Sequence, residues 1–298
     1  MLRNITIGAI WMALLLFMGP GALGADDLLG QAIKGFRYPV YETSGNNQGQ
    51  LKMEIAGDEA QVLPQGLIQI SNLRMTFYEE GKMVMHVTTP LCLYDRIKQT
   101  AMSTAQVCVT RAEIKLTGRG FDWNEKDGRI RVNKNTRVVL QKTESKSYFG
   151  ADGAIASAST NLEADTNNTV ITSTTLSFDQ KKATVVFEGA VKATDPALKI
   201  TSDRLTLSFS NDKKVELIKA EGNVVITRDM IQATAKMATY AVADGKITLW
   251  GKPSVSRQKD SLTAETIVFW RNSDRIICEP SAHSIIYSDD MNSQLKKN

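Results

Sequence analysis

Few side chains in this 298-residue chain have the right chemistry for catalysis or metal binding. Two histidines, His86 and His283, could carry protons or bind a metal. Three cysteines, Cys92, Cys108 and Cys278, could act as nucleophiles, ligands or disulfide partners. Carboxylates at polar turns, such as Asp179, Asp212 and Asp274, could pair to cleave a glycosidic bond. Spacing supports neither catalysis nor a metal site. Neither histidine has a Ser/Asp or Cys partner at a meaningful interval. The chain also lacks G-x-S-x-G, a phosphate-binding loop, a dinucleotide fingerprint, H-E-x-x-H and C-x-x-C. Acids that pair in space alone are the one arrangement spacing does not test. The residues therefore point away from an enzyme, and no cofactor or metal is expected.

The cysteine count is odd, so in an exported chain at least one thiol stays unpaired or pairs between chains. Cys92 and Cys108 flank the polar turn "DRIKQT" on two expected strands, which suits a disulfide. The other reading is that all three are small buried apolar residues.

Export is read from the first residues. Arg3 precedes an apolar run from Ile5 to Met18, then Gly19-Pro20 and small residues. This pattern fits a signal peptide over residues 1–24, cut after Gly24, and a periplasmic mature chain. The alternative is a retained inner-membrane anchor over residues 5–23, although a span of about 20 apolar residues is reached only by counting across Pro20. The formal net charge is +4, interspersed and without a Lys/Arg block in the body, which disfavours a nucleic-acid partner.

What positions these scattered residues is β structure. Val, Ile, Thr, Phe and Tyr recur in short alternating runs, and helical periodicity is missing beyond a turn or two near "DDLLGQAIKGF". Six copies of one pattern appear: an aromatic ends a strand, a polar turn follows and an apolar strand resumes. In the last four, Phe178, Phe209, Tyr240 and Trp270 stand about 30 residues apart, a period that marks a repeat array. Asp127-Gly128 and Asp244-Gly245 read as tight hairpins. About ten residues after each turn comes Gly189 in "FEGAV", Gly222 in "AEGNV" or Gly251 in "LWGKPSV", with "CEPSA" as a degenerate last copy. Glycine inside a strand pattern marks a bend, so each repeat is expected to turn a corner there. The alternation also slips within 199–209, which a strand can do only at a bulge. A stretch rich in Ser, Ala, Gly and Thr divides an N-terminal region, 36–141, from the regular array, 162–288. Residues 142–161 read as the linker and 289–298 as a polar tail.

These residues carry a resemblance. "ITSDRLTLSFSNDKKVELIKAEGNVVIT" and "FDQKKATVVFEGAVKATDPALKITSD" resemble the repeat of the OstA-like, LptA-type lipopolysaccharide-transport proteins. That repeat has an I-T-S/A-D opening, an aromatic before the turn and G-N-V before the next strand. "IQISNLRMTFYEEGKMVMHVTTPLCLYD" and "IKLTGRGFDWNEKDGRIRV" resemble the related LptC-type module. The resemblance implies an all-β chain of two tandem β-taco or β-jellyroll modules, each a folded-over antiparallel sheet. It implies a non-catalytic part of the bridge that carries lipopolysaccharide from inner to outer membrane, and so a role in outer-membrane biogenesis. The lipid A acyl chains would lie in an apolar groove.

The family carries over only as a face. Its members are Leu176, Phe178, Val185, Phe187, Val191, Leu205, Leu207, Phe209, Ile218, Val224, Ile226, Ile247, Leu249, Ile267 and Phe269. Partners are expected at sheet edges: other bridge components, or copies of the chain itself. The strand "AHSIIYSDD", with Ile285, Ile286 and Tyr287, is the expected C-terminal edge. Two rival classes follow from the same residues. One is a structural, self-assembling β-repeat protein of the envelope with a dry interior and no lipid. The other is a polysaccharide-active enzyme on a parallel solenoid, which the hairpin turns argue against.

Overall fold

The computed structural model describes residues 30–140 and 168–286, apart from 44, 112–113, 197, 211–213 and 271–274. The expected signal or anchor, the linker 142–161, Asp212, Asp274, Tyr287 and the tail lie outside the described residues. Among the described residues there is no α-helix, only strands and a single 3-10 turn, Pro64–Gly66. Every strand pair given by the register is antiparallel.

The chain divides into two compact units, residues 1–132 and 133–298. The first contains β1 (Ala32–Lys34), β2 (Arg37–Tyr41), β3 (Leu51–Ala56), β4 (Glu59–Val62), β5 (Leu67–Glu79), β6 (Lys82–Asp95), β7 (Thr100–Arg111) and β8 (Ile114–Asn124). The division falls within β9 (Arg129–Leu140). The second unit continues with β10 (Thr169–Ser173), β11 (Thr175–Asp179), β12 (Thr184–Asp195), β13 (Leu198–Phe209), β14 (Val215–Arg228), β15 (Ile231–Ala241) and β16 (Lys246–Trp250). It ends with β17 (Ser254–Arg257), β18 (Asp260–Thr263), β19 (Thr266–Trp270), β20 (Ile276–Glu279) and β21 (His283–Ile285).

The helical turn expected near residues 26–36 is not formed where the chain is described. Gly30 and Gly35 hold φ of 78° and 64°, which interrupt a helix, and between them β1 pairs with β4, Ala32 opposite Gln61. The two Asp-Gly hairpins are present. Gly128 and Gly245 have φ of 64° and 63°, and Gly128 N–H donates to the Glu125 carbonyl at 3.2 Å.

In each unit the sheet folds over on itself as two leaves that share an apolar inner side. In the first unit, one leaf carries the row Ile55, Met75, Val87, Val109 and Leu116. The other leaf carries Ile68, Tyr94, Ala101 and Trp123. Every one of these is buried. Period-2 alternation forces this, because an apolar residue at every second position fills one side of the sheet and leaves the other polar. The outer side carries charges in register near the corner of the second unit. Glu188 faces Arg204 with an ion pair at 3.1 Å, and Arg204 faces Glu221 in turn. Such exposed pairs contribute at most about 1 kcal/mol each, so burial of the inner rows dominates.

Candidate functional site

Strand register in the second unit lines the expected apolar residues into rows that cross the strands. The first row runs Leu176, Phe187, Leu205, Ala220, Ala238, Leu249, Ile267 and Cys278. Seven gaps of about 4.8 Å give it a length of about 34 Å. Its members from Leu176 to Ile267 are buried, and Leu205, Leu249 and Ile267 are at 0% exposure. They form the inner wedge of the fold, already packed.

The second row lies one step nearer the hairpin turns. It runs Phe178, Val185, Leu207, Ile218, Tyr240, Ile247, Phe269 and Ile276. Its centre, Leu207 and Ile218, is buried, at 5% and 4%. Its flanks are not: Phe178, Val185, Tyr240, Ile247 and Phe269 are half-buried, and Ile276 is 52% exposed. The outward residues Val186, Thr206 and Lys219 share that intermediate exposure. Inward aromatics that stay half-buried border an open mouth. Phe209, opposite Val215 past a register shift, is half-buried at the same rim.

Beyond the corner the other leaf repeats the arrangement. Val138, Ile171, Ala193, Ile200, Ile226, Ala233, Val255 and Leu262 stand in one row, with Ile226 half-buried. Val191 and Val224 sit at the corner itself, at 2% and 1%. All fifteen residues expected on the inner face thus occupy these rows, the corner between them or the rim.

The corner explains the sequence motifs. Each is a pair of left-handed residues: Gly189-Ala190 with φ 79° and 48°, Gly222-Asn223 with 75° and 46°, and Gly251-Lys252 with 77° and 63°. The alternation that slips within 199–209 is here a register shift between Thr201 and Arg204. Bending a sheet there strands backbone carbonyls on the inside, and hydroxyls collect them. Ser202 Oγ donates to the Arg204 carbonyl at 3.0 Å, and Ser173 Oγ to that of Thr175 at 2.8 Å. The next residue of the motif packs against the glycine of the following strand: Thr174 on Gly189, Asp203 on Gly222, Lys236 on Gly251. Asn223 Nδ2 then donates to Asp203 Oδ2 at 2.8 Å, joining the I-T-S-D and G-N-V motifs in space.

Sequence reading missed the alanines, Ala193, Ala220, Ala233 and Ala238, because alanine alternates too weakly to mark a face. All four are buried at 5% or less. Their small size at the centre of the rows was legible only through register.

The residues suited to chemistry are spread out. His86 Nδ1 lies 3.0 Å from Thr76 Oγ1 across a strand pair, and His283 is exposed. Among the described residues no cluster of His, Cys, Asp and Glu could hold a metal. All three cysteines are free thiols, so the disulfide considered for Cys92 and Cys108 is not made. Register is the reason: Cys108 stands opposite Thr88, four residues from Cys92 along β6, and Cys92 stands opposite Ile70. Burial pushes the Cys92 thiol up to about 12. At pH 8 about one molecule in ten thousand then carries its thiolate. A maleimide should therefore leave Cys92 unlabelled in the native protein and label it on denaturation, read by peptide mass spectrometry. Prompt native labelling of Cys92 would place it outside the core.

One comparison with known proteins falls within the second unit. Residues 170–275 match the family model described as LptA/(LptD N-terminal domain) LPS transport protein. No curated protein matches the chain. Among solved structures, LptH from Pseudomonas aeruginosa, "the LptA homologous periplasmic component of the conserved lipopolysaccharide transport device", aligns with 41% of this chain and 96% of its own. The identity is 16% and the TM-score 0.38.

Proposed function

We propose, from the LptA-like character of residues 170–275, that this chain is a periplasmic lipopolysaccharide-binding component of the bridge between the two membranes, and that the second unit holds the acyl chains. The half-buried mouth row carries the reading. An apolar strip about 34 Å long, open on one side, is costly to leave wet. Each acyl CH2 laid against it gains about 0.8 kcal/mol. The sugars and phosphates would stay outside, beyond the rim of hairpin turns. No residue in this reading breaks or forms a covalent bond.

The first unit is read as an LptC-like module on the residues quoted for it. Neighbouring components attach through sheet edges. β20 pairs with β19 and β21 with β18, and among the described residues no further strand pairs their outer edges. Ile276, Ile285 and Ile286 are exposed there at 52%, 45% and 75%, which favours an added strand from a partner or a second copy. β21 ends at Ile285, so Ile286 lies just past the strand expected to run through it.

The test is a photo-crosslinking residue at Ile247 or Phe269, exposed to purified lipopolysaccharide. Labelling is expected at both, and only background labelling at the outward Thr206. Ile247→Asp should lower capture at least about tenfold, since it places a charge where a chain must lie. Labelling confined to Thr206 would move the lipid to the other side of the sheet. Absence of labelling anywhere, with oligomers through the exposed edge, would favour the structural protein without cargo.

A further inference from the structure

The two leaves of the first unit are joined at their open end. Tyr38 on β2 and Tyr94 on β6 belong to opposite leaves, and their ring centres are 6.3 Å apart. Phe77 on β5 meets Trp123 on β8 edge-on at 6.1 Å, again from leaf to leaf. Outside these rings, Lys52 Nζ at the start of β3 donates to Glu125 Oε1 at the β8–β9 turn, at 3.0 Å. The Glu125 side chain is only 14% exposed. Behind these contacts Met53, Ile55 and Phe121 are at 1% or less, and Tyr94 and Trp123 are at 2% and 6%. On the opposite leaf Tyr38, Phe77 and Met85 are half-buried, so it is the contacts between the leaves that close this end.

We propose that the Lys52–Glu125 ion pair and the two ring contacts latch the first unit shut. Acyl chains then occupy the second unit and enter the first only when the latch parts. This rests on the reading of the second unit as the acyl-chain holder. A chain sliding between Phe77 and Trp123 must break their edge-on contact. It must also separate Lys52 from a largely covered carboxylate, leaving Glu125 without its partner.

The experiment uses the full chain, purified lipopolysaccharide and a photo-crosslinking residue placed at Met85 or at Phe269. Met85 stands opposite Phe77 on the inner side of the first unit, half-buried beside the latch. In the otherwise unaltered chain, Phe269 is expected to label and Met85 is not. Glu125→Lys, which sets two cations at the latch, should raise labelling at Met85 at least about fivefold. Combining Lys52→Glu with Glu125→Lys restores opposite charges and should suppress it again. Where the reversal fails to fold by circular dichroism, Glu125→Gln removes the charge with little change of shape and should also raise Met85 labelling. Equal labelling of Met85 and Phe269 in the unaltered chain overturns the latch, as does unchanged Met85 labelling in a folded charge variant. Failure to label either position rejects the acyl-chain reading itself.

Discussion

Phe187→Ala should destabilise the second unit by about 3–5 kcal/mol, the range for truncating a fully enclosed phenyl group. Phe187 is 1% exposed, between Leu176 and Leu205 in a row that is itself 4% and 0% exposed. Two terms add. The lost transfer of the ring is one. The other is the cavity, which the neighbours cannot fill, because strand pairing on both sides fixes β11, β12 and β13 at their spacing. The midpoint of urea unfolding should fall with little change in slope, and the melting temperature should drop by about 10 °C or more. Ile247→Ala, at the half-buried mouth, should cost about 1–2 kcal/mol, because less surface returns to water and the opening leaves no sealed void. Equal costs at the two positions would mean that the wedge is not the unit's core.

Gly222→Val should cost about 2–4 kcal/mol from two sources that a double mutant separates. The backbone at Gly222 holds φ 75°, a region where a β-branched residue is strained. A Cβ there would also lie 2.9 Å from Cβ and Cγ of Asp203, and it would displace the carboxylate that accepts from Asn223. Gly222→Ala should cost about 1–2 kcal/mol through the same terms with less bulk. In an Asp203→Ala background the crowding is relieved and the conformation is not. The Gly222→Ala penalty should therefore shrink there without vanishing. A Gly222→Val protein that melts at the unaltered temperature would remove the corner from this account.

Much of the second unit was legible because its signals are periodic and local. The turn aromatics, the in-strand glycines and the slipped alternation at 199–209 each translate directly into a hairpin, a left-handed pair or a register shift. The I-T-S-D opening was visible as a pattern, but its cause was not. Ser202 and Asp203 serve a carbonyl and a glycine that become neighbours only after the sheet bends. The division of the inner face into a sealed row and an open row was likewise illegible. Leu205 and Leu207 look alike as letters, and Leu205 and Ile247 differ in exposure only because of how far each lies from the corner. In the first unit the ring pairs join strands far apart in sequence, such as Phe77 and Trp123, and no short-range pattern announces them. The stretch "DDLLGQAIKGF" was read as a turn or two of helix. Gly30 and Gly35 decided otherwise.

Strand pairing in the second unit has a consequence for time. β10 and β11 pair with β9, with Ser173 opposite Thr136, but from β12 to β21 each strand bonds to one that lies next to it or within the adjoining repeat, as β15 does to β16 and β17, and β16 to β19. Among the described residues from β12 onward no strand waits for a distant stretch of chain to arrive, so loop closure is brief at each of those steps. An all-β protein ordinarily folds slowly because strands far apart in sequence must find each other, and from β12 to β21 they need not. Ordering can start at whichever repeat is exposed first and advance one hairpin at a time, each new strand laid on an edge already formed. The edge that remains when the last strand is in place is the same kind of surface on which every earlier strand was received.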